Sequence, residues 1–405
     1  MLSTSDNPLL RTLRLVGVAI GAALLVYLSI SITLTLTVAK PKPEVALNWW
    51  PWGGLPKAMV ANRLVLKQEP SASDLDQASG LAEAALARDP LSVDAVNALA
   101  LVAAHKEDEA GAARLFRASE FLSRRHLPTQ IWLIEEAVRR NDIPSALSHY
   151  DRALRTSKSA ADYLLPTLVA AADDPQILPA LNTILAPRPD WWRQFLALAI
   201  KDVRDSRALL AIGRTLRLAM SDEAETNFVQ QIIRRLIADR HYQSAYAYYA
   251  DTKRLESTQA AALRDGDFSG DRSPLPFDWW FRDDYELSAG KEVFGDDPRL
   301  VLRSNASGGG EVARQLLILA PGRYTLKGVA GSTGAGVMEQ PMIQVDCVEG
   351  AELIRRPLPA ANEKGSAFEM RFEVPRNCGG QWLRIILAPT ERSQAWIDSL
   401  QITGG

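Results

Sequence analysis

The chain of 405 residues is poor in the side chains that build covalent or metal frameworks, with two cysteines and four histidines. That scarcity excludes a dense disulfide scaffold and a zinc framework. It also lacks charge of one sign: 46 Lys+Arg against 48 Asp+Glu leave a formal net charge of -2, whereas a nucleic-acid binder carries a basic excess. At 47% hydrophobic and 23% charged, it does not have the composition of a disordered chain. The signatures of catalysis are missing too. There is no G-x-S-x-G elbow, H-E-x-x-H, P-loop or G-x-G-x-x-G behind a strand, and His105, His126, His149 and His241 are dispersed singly. Asp283-Asp284 and Asp296-Asp297 are adjacent in sequence, whereas a glycosidase needs two acids converging across a cleft. A non-enzymatic protein without metal or cofactor is expected.

What is present begins at the N-terminus. After Arg11 and Arg14 no charged residue occurs until Lys40, so 15–39 is an uncharged run of 25 residues. As a helix it would extend roughly 37 Å, enough to cross a bilayer with some tilt. Thr37-Val38-Ala39 offers a small-residue cleavage site, but the run exceeds the apolar core of most signal peptides, which favours an anchor. Arg11 and Arg14 favour a cytoplasmic N-terminus, partly offset by Lys40 and Lys42. Trp49, Trp50 and Trp52 follow the run at a spacing that suits the outer interface. The reading is a cytoplasmic tail (1–14), a transmembrane helix (15–39) and a juxtamembrane linker (40–56).

Residues 57–264 read as helices rich in Ala, Leu and Arg. Ala112 and Phe116 are followed 34 residues later by Ala146 and Tyr150 and preceded 34 earlier by Ala78 and Ala82, while Leu99 and Leu133 share the interval. Such a period marks stacked helical hairpins. Ala78-x3-Ala82-x2-Ala85-x4-Pro90 and Ala146-x3-Tyr150-x2-Ala153 resemble the second helix of a tetratricopeptide (TPR) repeat. The resemblance covers about three units, and it departs from the family where Val96 replaces the early aromatic and where the frame decays at Ile184 and Pro187. An alanine-rich bundle is the alternative. His241 to Tyr249 looks like a further repeat helix out of register, and Pro189-Asp190-Trp191-Trp192 reads as a helix start with buried indoles.

Gly, Pro, Ser and Asp cluster over 265–276, as in a linker. Beyond it, helical periodicity gives way to short alternating runs, with candidate strands at 299–303, 314–319, 323–330, 341–347, 367–374, 381–387 and 395–403. Seven or eight strands with Gly- or Pro-containing turns mean an antiparallel β-sandwich over 277–405. The chain is thus expected to be an α+β multidomain protein: one N-terminal transmembrane helix, an α-helical repeat (TPR-like) domain and a C-terminal jelly roll.

Pro321-Gly322-Arg323-Tyr324-Thr325-Leu326 and Ala395-Trp396-Ile397-Asp398-Ser399-Leu400 resemble strand sequences of jelly-roll carbohydrate-binding modules and galactose-binding-like domains. In that group the closing Asp is usually structural. Pro276 to Phe281 fits a first strand, with Phe277 and one of two indoles directed inward. Alternation puts Trp279 and Trp280 on opposite sides, so one is exposed or covered by the helical domain. Sugar binding would use aromatic faces with polar groups beside them. Trp279, Trp280, Phe281, Tyr285, Trp382 and Trp396 are the aromatic candidates, with Arg282, Asp283 and Asp284 nearby. Cys347 and Cys378 are expected to pair in an oxidising compartment, two buried thiols being the alternative. Asn305-Ala306-Ser307 matches a glycosylation acceptor.

This architecture resembles membrane-anchored accessory proteins of bacterial exopolysaccharide synthesis and export. The resemblance implies a single-pass inner-membrane protein with its bulk in the periplasm. It further implies a scaffold that binds protein partners of a polysaccharide machinery through its helices. Direct polysaccharide binding by the sandwich is the alternative.

Overall fold

The structure, a computed structural model, describes residues 8–255, 263–271, 273–295, 297–305, 309–332, 340–359, 363–388 and 393–404. The described part of Met1–Thr167, with Pro189–Trp191, forms one compact unit, and that of Leu168–Arg188 with Trp192–Gly405 forms a second.

The first unit opens with α1 (Pro8–Val38), whose stretch Thr12–Thr33 is long and apolar enough to cross a membrane. Its hydroxyls bond back along the helix, as Thr37 Oγ1 does to the Thr33 carbonyl at 2.7 Å. The chain then turns back through α2 (Pro43–Trp49), where Trp49 Nε1 donates to Ser31 Oγ at 3.3 Å and the Trp50 ring lies 6.0 Å from Tyr27. The indoles of Trp49 and Trp52 stay exposed.

Antiparallel hairpins follow: α3 (Gly54–Val65) with α4 (Ala72–Leu86), α5 (Val93–His105) with α6 (Glu109–Leu122), and α7 (Leu127–Arg139) with α8 (Ile143–Thr156). Helices α5 and α7 start 34 residues apart (93 to 127), as do α6 and α8 (109 to 143). The turns repeat as well. Glu107 and Asn141 both have positive φ, and the next residues, Asp108 and Asp142, cap α6 and α8 by accepting from Gly111 N and Ser145 N. Asp108 N and Asp142 N donate back to the carbonyls of Ala103 and Ala137, closing each preceding helix in the Schellman manner. Ala78, Ala82 and Ala85 of α4 are fully buried against Ala58 and Ala61 of α3 and Ala95 and Ala98 of α5. Small side chains let these backbones approach. Phe116 fills the next interface, stacked at 4.1 Å on Trp132. A polar seam joins successive first helices: Asn97 Nδ2 donates to Asn62 Oδ1, and Thr129 Oγ1 to Asn97 Oδ1.

The second unit holds the end of α9 (Ala160–Ala171), then α10 (Leu178–Leu185), α11 (Trp192–Asp202), α12 (Ser206–Leu216), α13 (Glu223–Ala238) and α14 (Tyr242–Lys253). Trp192 is buried at the start of α11, and Trp191, of the first unit, is buried just before it, as a helix start predicts. The α13–α14 turn repeats the earlier geometry, with Arg240 at positive φ and His241 N bonded to the Leu236 carbonyl.

Ten strands complete the unit: β1 (Trp280–Phe281), β2 (Leu287–Phe294), β3 (Asp297–Ser304), β4 (Gly310–Leu317), β5 (Gly322–Ser332), β6 (Met342–Cys347), β7 (Glu352–Pro357), β8 (Ser366–Val374), β9 (Gln381–Leu387) and β10 (Ser393–Gly404). They form two five-stranded antiparallel sheets in the orders β1-β4-β9-β6-β7 and β2-β3-β10-β5-β8. From β3 onward the chain crosses repeatedly between sheets, so β3-β10-β5-β8 faces β4-β9-β6-β7. That order is a jelly roll. The core between the sheets holds Leu300, Leu302, Leu326, Ile343, Val345, Leu383, Ile385 and Ile397. Cys347 and Cys378 are joined in a disulfide with Cα atoms 5.3 Å apart.

The Gly- and Asp-rich stretch before β1 is coil fastened to the sandwich. Phe268 is in the core, Leu400 N donates to the Gly266 carbonyl, and Gln315 bonds both backbone groups of Arg264. Helix α14 packs on the same region. The Tyr246 and Tyr249 rings each lie 5.1 Å from Phe277, and the Tyr249 hydroxyl donates to Asp278. Burial and then the Asp278 carboxylate push that phenol up. Tyr242 lies on Gly379, where a Cβ would come within 2.6 Å of its ring; only glycine fits.

Candidate functional site

The outer face of the β1-β4-β9-β6-β7 sheet follows from strand alternation. In β9, Leu383, Ile385 and Leu387 point to the core, so Trp382, Arg384 and Ile386 point away. In β6, Ile343 and Val345 are core, leaving Gln344 and Asp346 on the outer side. The register then aligns one transverse row: Trp280 opposite Arg314, Arg314 opposite Arg384, Arg384 opposite Gln344, and Gln344 opposite Arg355. Five strands at about 4.8 Å spacing make this row roughly 19 Å long.

The row is a continuous aromatic and charged ladder. The Arg314 guanidinium lies 4.7 Å from the Trp280 ring and 5.3 Å from the Trp382 ring, and that of Arg384 lies 6.0 Å from Trp382. Both arginines are held by Glu311, at 3.1 Å from Arg314 and 2.9 Å from Arg384. Asp346 fixes the other side of Arg384 at 3.3 Å and accepts from Gln344 Nε2 at 2.8 Å. Arg314, Arg384, Glu311 and Asp346 are therefore paired in place, and the first two guanidinium groups lie against indole faces before any ligand arrives. A flat strip of indole and guanidinium faces, flanked by carboxylates, can take a ligand that presents C–H faces and hydroxyls together.

The structure sorts the aromatic candidates. Trp280 is 42% exposed on the ladder, while Trp279, on the opposite side of the strand, is buried in the core and donates through Nε1 to the Asp265 carbonyl. Phe281 stacks on Trp279. Trp382 joins Trp280 through Arg314. Trp396 belongs to the other sheet and points away from its core, where it is buried under Arg299, 4.0 Å above its ring, and packs on Gly331 and Gly365. Tyr285 is 84% exposed in the turn before β2, apart from the row. Arg282 pairs with Asp284, which caps that turn by accepting from Leu287 N, and Asp283 bridges to Ser288. These three shape a turn. Asp398 accepts from Ser399 N at the β10 bulge, which fits the structural role expected of it.

Arg314, Arg384, Glu311, Asp346 and Gln344 were not singled out by sequence. Their signal was present as Arg314 and Arg384 within apolar strands, but it needs the register to become a row. The remainder of the Asn305 acceptor tripeptide lies outside the described residues. His126 and His149 are held individually, by Thr129 and by Gln130.

No protein-family model and no curated protein matches the chain. Solved structures similar to it include a CBM4 carbohydrate-binding module, 12% identical with a TM-score of 0.29, covering 35% of this chain and 99% of that one. TmCBM61 in complex with β-1,4-galactotriose is 14% identical with a TM-score of 0.28, over 35% of this chain and 97% of that one. The C-terminal family 22 carbohydrate-binding module of Clostridium thermocellum Xyn10B is 12% identical with a TM-score of 0.27, over 34% and 91%. The likeness falls on the C-terminal sandwich. At these scores it carries no functional argument.

Proposed function

We propose that the chain is a non-enzymatic, membrane-anchored glycan-binding protein of the cell envelope, which holds a polysaccharide along the outer face of the β1-β4-β9-β6-β7 sheet. The observation that carries this reading is the row Trp280–Arg314–Arg384–Gln344 with Trp382 beside it. A row of roughly 19 Å is long enough for several pyranose rings of an extended chain. Indole faces take the C–H face of a sugar, and the oriented arginines and carboxylates take its equatorial hydroxyls. The apolar α1 and the disulfide support an anchored chain with the sandwich outside the cytoplasm, at the inner membrane of a bacterium.

The helical hairpins favour a second role in the same protein. Their 34-residue repeat of helix starts and turns supports the TPR-like reading, in which stacked hairpins recruit protein partners of an exopolysaccharide machinery. The full chain in detergent is the material for the test. Retardation in gels containing envelope polysaccharide is expected for the parent and at least tenfold weaker for Trp382→Ala. Equal retardation of the two proteins on every polysaccharide that retards the parent would remove the ladder from the function.

A further inference from the structure

Helix α1 is exposed along its apolar length, at Leu15, Ile20, Leu25 and Ile32 among others. Its stretch Thr12–Ser31 extends about 30 Å, the thickness of a hydrocarbon core. Beyond it the chain doubles back twice: α2 runs down beside the last turns of α1, and α3 runs up again. The Trp49–Ser31 hydrogen bond and the Trp50–Tyr27 ring contact hold α2 to α1. Arg63, near the end of α3, donates to both oxygens of Glu44 at 2.7 and 3.0 Å and to the Pro41 carbonyl at 3.2 Å, where α2 starts. Ala39, Pro43 and Ala46 are buried in the joint. The apolar helix therefore passes into the first hairpin through packed helices.

The same contacts set depth along α1. From Ser31 to the end of α1 at Val38 the helix rises about 10 Å, and from Tyr27 about 16 Å. The Trp49 and Trp50 indoles thus stand beside the C-terminal third of the apolar stretch Thr12–Thr33. The neighbouring Trp52 ring, 5.7 Å from Trp50, is 62% exposed. Gly53 makes this turn possible, since a Cβ there would come within 2.8 Å of the Trp50 ring. The loop between α4 and α5 comes to the same end of the hairpin. It backs onto Gly54, where a Cβ would stand 3.3 Å from the Ala85 carbonyl and 3.5 Å from Arg88 Cβ. That loop exposes Arg88 and, at 71%, Leu91. One end of the hairpin therefore carries exposed Trp49, Trp52 and Leu91 beside the apolar helix, with a cation next to them.

We infer that this end of the hairpin rests on the phospholipid bilayer that α1 crosses. Trp49 and Trp52 lie at the boundary of acyl chains and headgroups, where amphipathic indoles are favoured. Leu91 dips in beside them, and Arg88 faces lipid phosphates. The occupant follows from continuity: the exposed indoles extend the lipid-facing surface of α1 itself, at a depth where lipid, not bulk water, surrounds a spanning helix. This contact rests on α1 being a retained anchor and adds to it, because the membrane then holds the first helical hairpin as well as the span. The hairpin stands fixed at the bilayer instead of swinging on a tether.

The test uses the full chain in vesicles of phosphatidylethanolamine and phosphatidylglycerol, with one nitroxide-labelled cysteine at a time. Cys347 and Cys378 are bonded to each other and take no label. Ile20→Cys reports the middle of the span, and Lys67→Cys, at the opposite end of the α3–α4 hairpin, reports water. Collisions with oxygen, which concentrates in lipid, and with a nickel chelate, which stays in water, give the depth of each label. The oxygen-to-nickel ratio of Trp52→Cys and of Leu91→Cys should exceed that of Lys67→Cys about threefold or more and stay below that of Ile20→Cys. Leu91→Cys leaves every tryptophan in place, so its result does not hang on the turn tolerating a substitution. A lipid-buried Ile20 label, with the Trp52 or the Leu91 label as wet as that at Lys67, would overturn the contact and leave the anchor standing. An Ile20 label in water would overturn both. Shelter of the Trp52 and Leu91 labels from oxygen and nickel alike would put a protein partner or a second copy there, and would overturn the lipid contact.

Discussion

Trp382 and Trp396 are the same residue type in one sandwich, and their substitution should have opposite consequences. Trp396 is buried under Arg299 and fills space left by Gly331 and Gly365, so Trp396→Ala opens a cavity and should cost about 3 kcal/mol or more. Chemical denaturation would show this as a lowered midpoint. Trp382 is only partly buried and shares its face with Arg314 and Arg384, so its loss should act on glycan retention far more than on folding. Sequence alternation separated Trp279 from Trp280 correctly because it needs only neighbouring residues. It could not separate Trp382 from Trp396, because what covers Trp396 comes from remote strands and loops. A second residue-scale effect concerns pH. Burial lowers the pKa of His149 below the usual 6.5, against the opposing charge of Glu120. The unfolded chain then takes up a proton first as pH falls through about 6.5, so the stability held at neutral pH declines on acidification. Thermal melts between pH 7.5 and 5.5 should show a falling midpoint, and the fall should be shallower in His149→Gln.

At the scale of elements, the repeated turns are the clearest local device. Asp108 and Asp142 each satisfy an amide in the first turn of the next helix, and replacing either by Ala should cost about 1 kcal/mol. Asn141 and Glu107 stand at positive φ, so Glu107→Gly should stabilise slightly. Urea midpoints of the single variants would check both signs. All seven candidate strands are strands in the structure. The two strands with no candidate run, β2 and β7, are both sheet edges, and edge β1, expected over 276–281, pairs only at Trp280–Phe281. An edge strand has one neighbour and more solvent, so it need not alternate apolar and polar residues. In β7, Arg355 and Arg356 are both exposed, and in β2 Val293 is exposed beside Phe294. The signal sought by periodicity is carried by burial, and these strands have little of it.

At the scale of the whole molecule, the disulfide joins residues 31 apart in sequence. Chain-entropy reasoning gives it about 3–4 kcal/mol. Cys347→Ser/Cys378→Ser should therefore lower the unfolding midpoint of the sandwich, as should reductant on the parent, and tryptophan fluorescence would report both. The aromatic and charged row was not legible at this scale because it is a property of register: Arg314, Arg384 and Gln344 are 30 to 70 residues apart in the chain and share a row only after the sheets form.

Strand order also dictates when the sandwich can form. β9 lies between β4 and β6, and β10 between β3 and β5. The middle of each sheet is thus supplied by the last two strands described. Until they arrive, β4 and β6 have no common partner in one sheet, nor do β3 and β5 in the other. Such non-local pairing is slow and leaves strand edges open to association. These edges stay unpaired until β9 and β10 are in place. The sandwich is therefore most open to association in the interval before β9 and β10 take their central places.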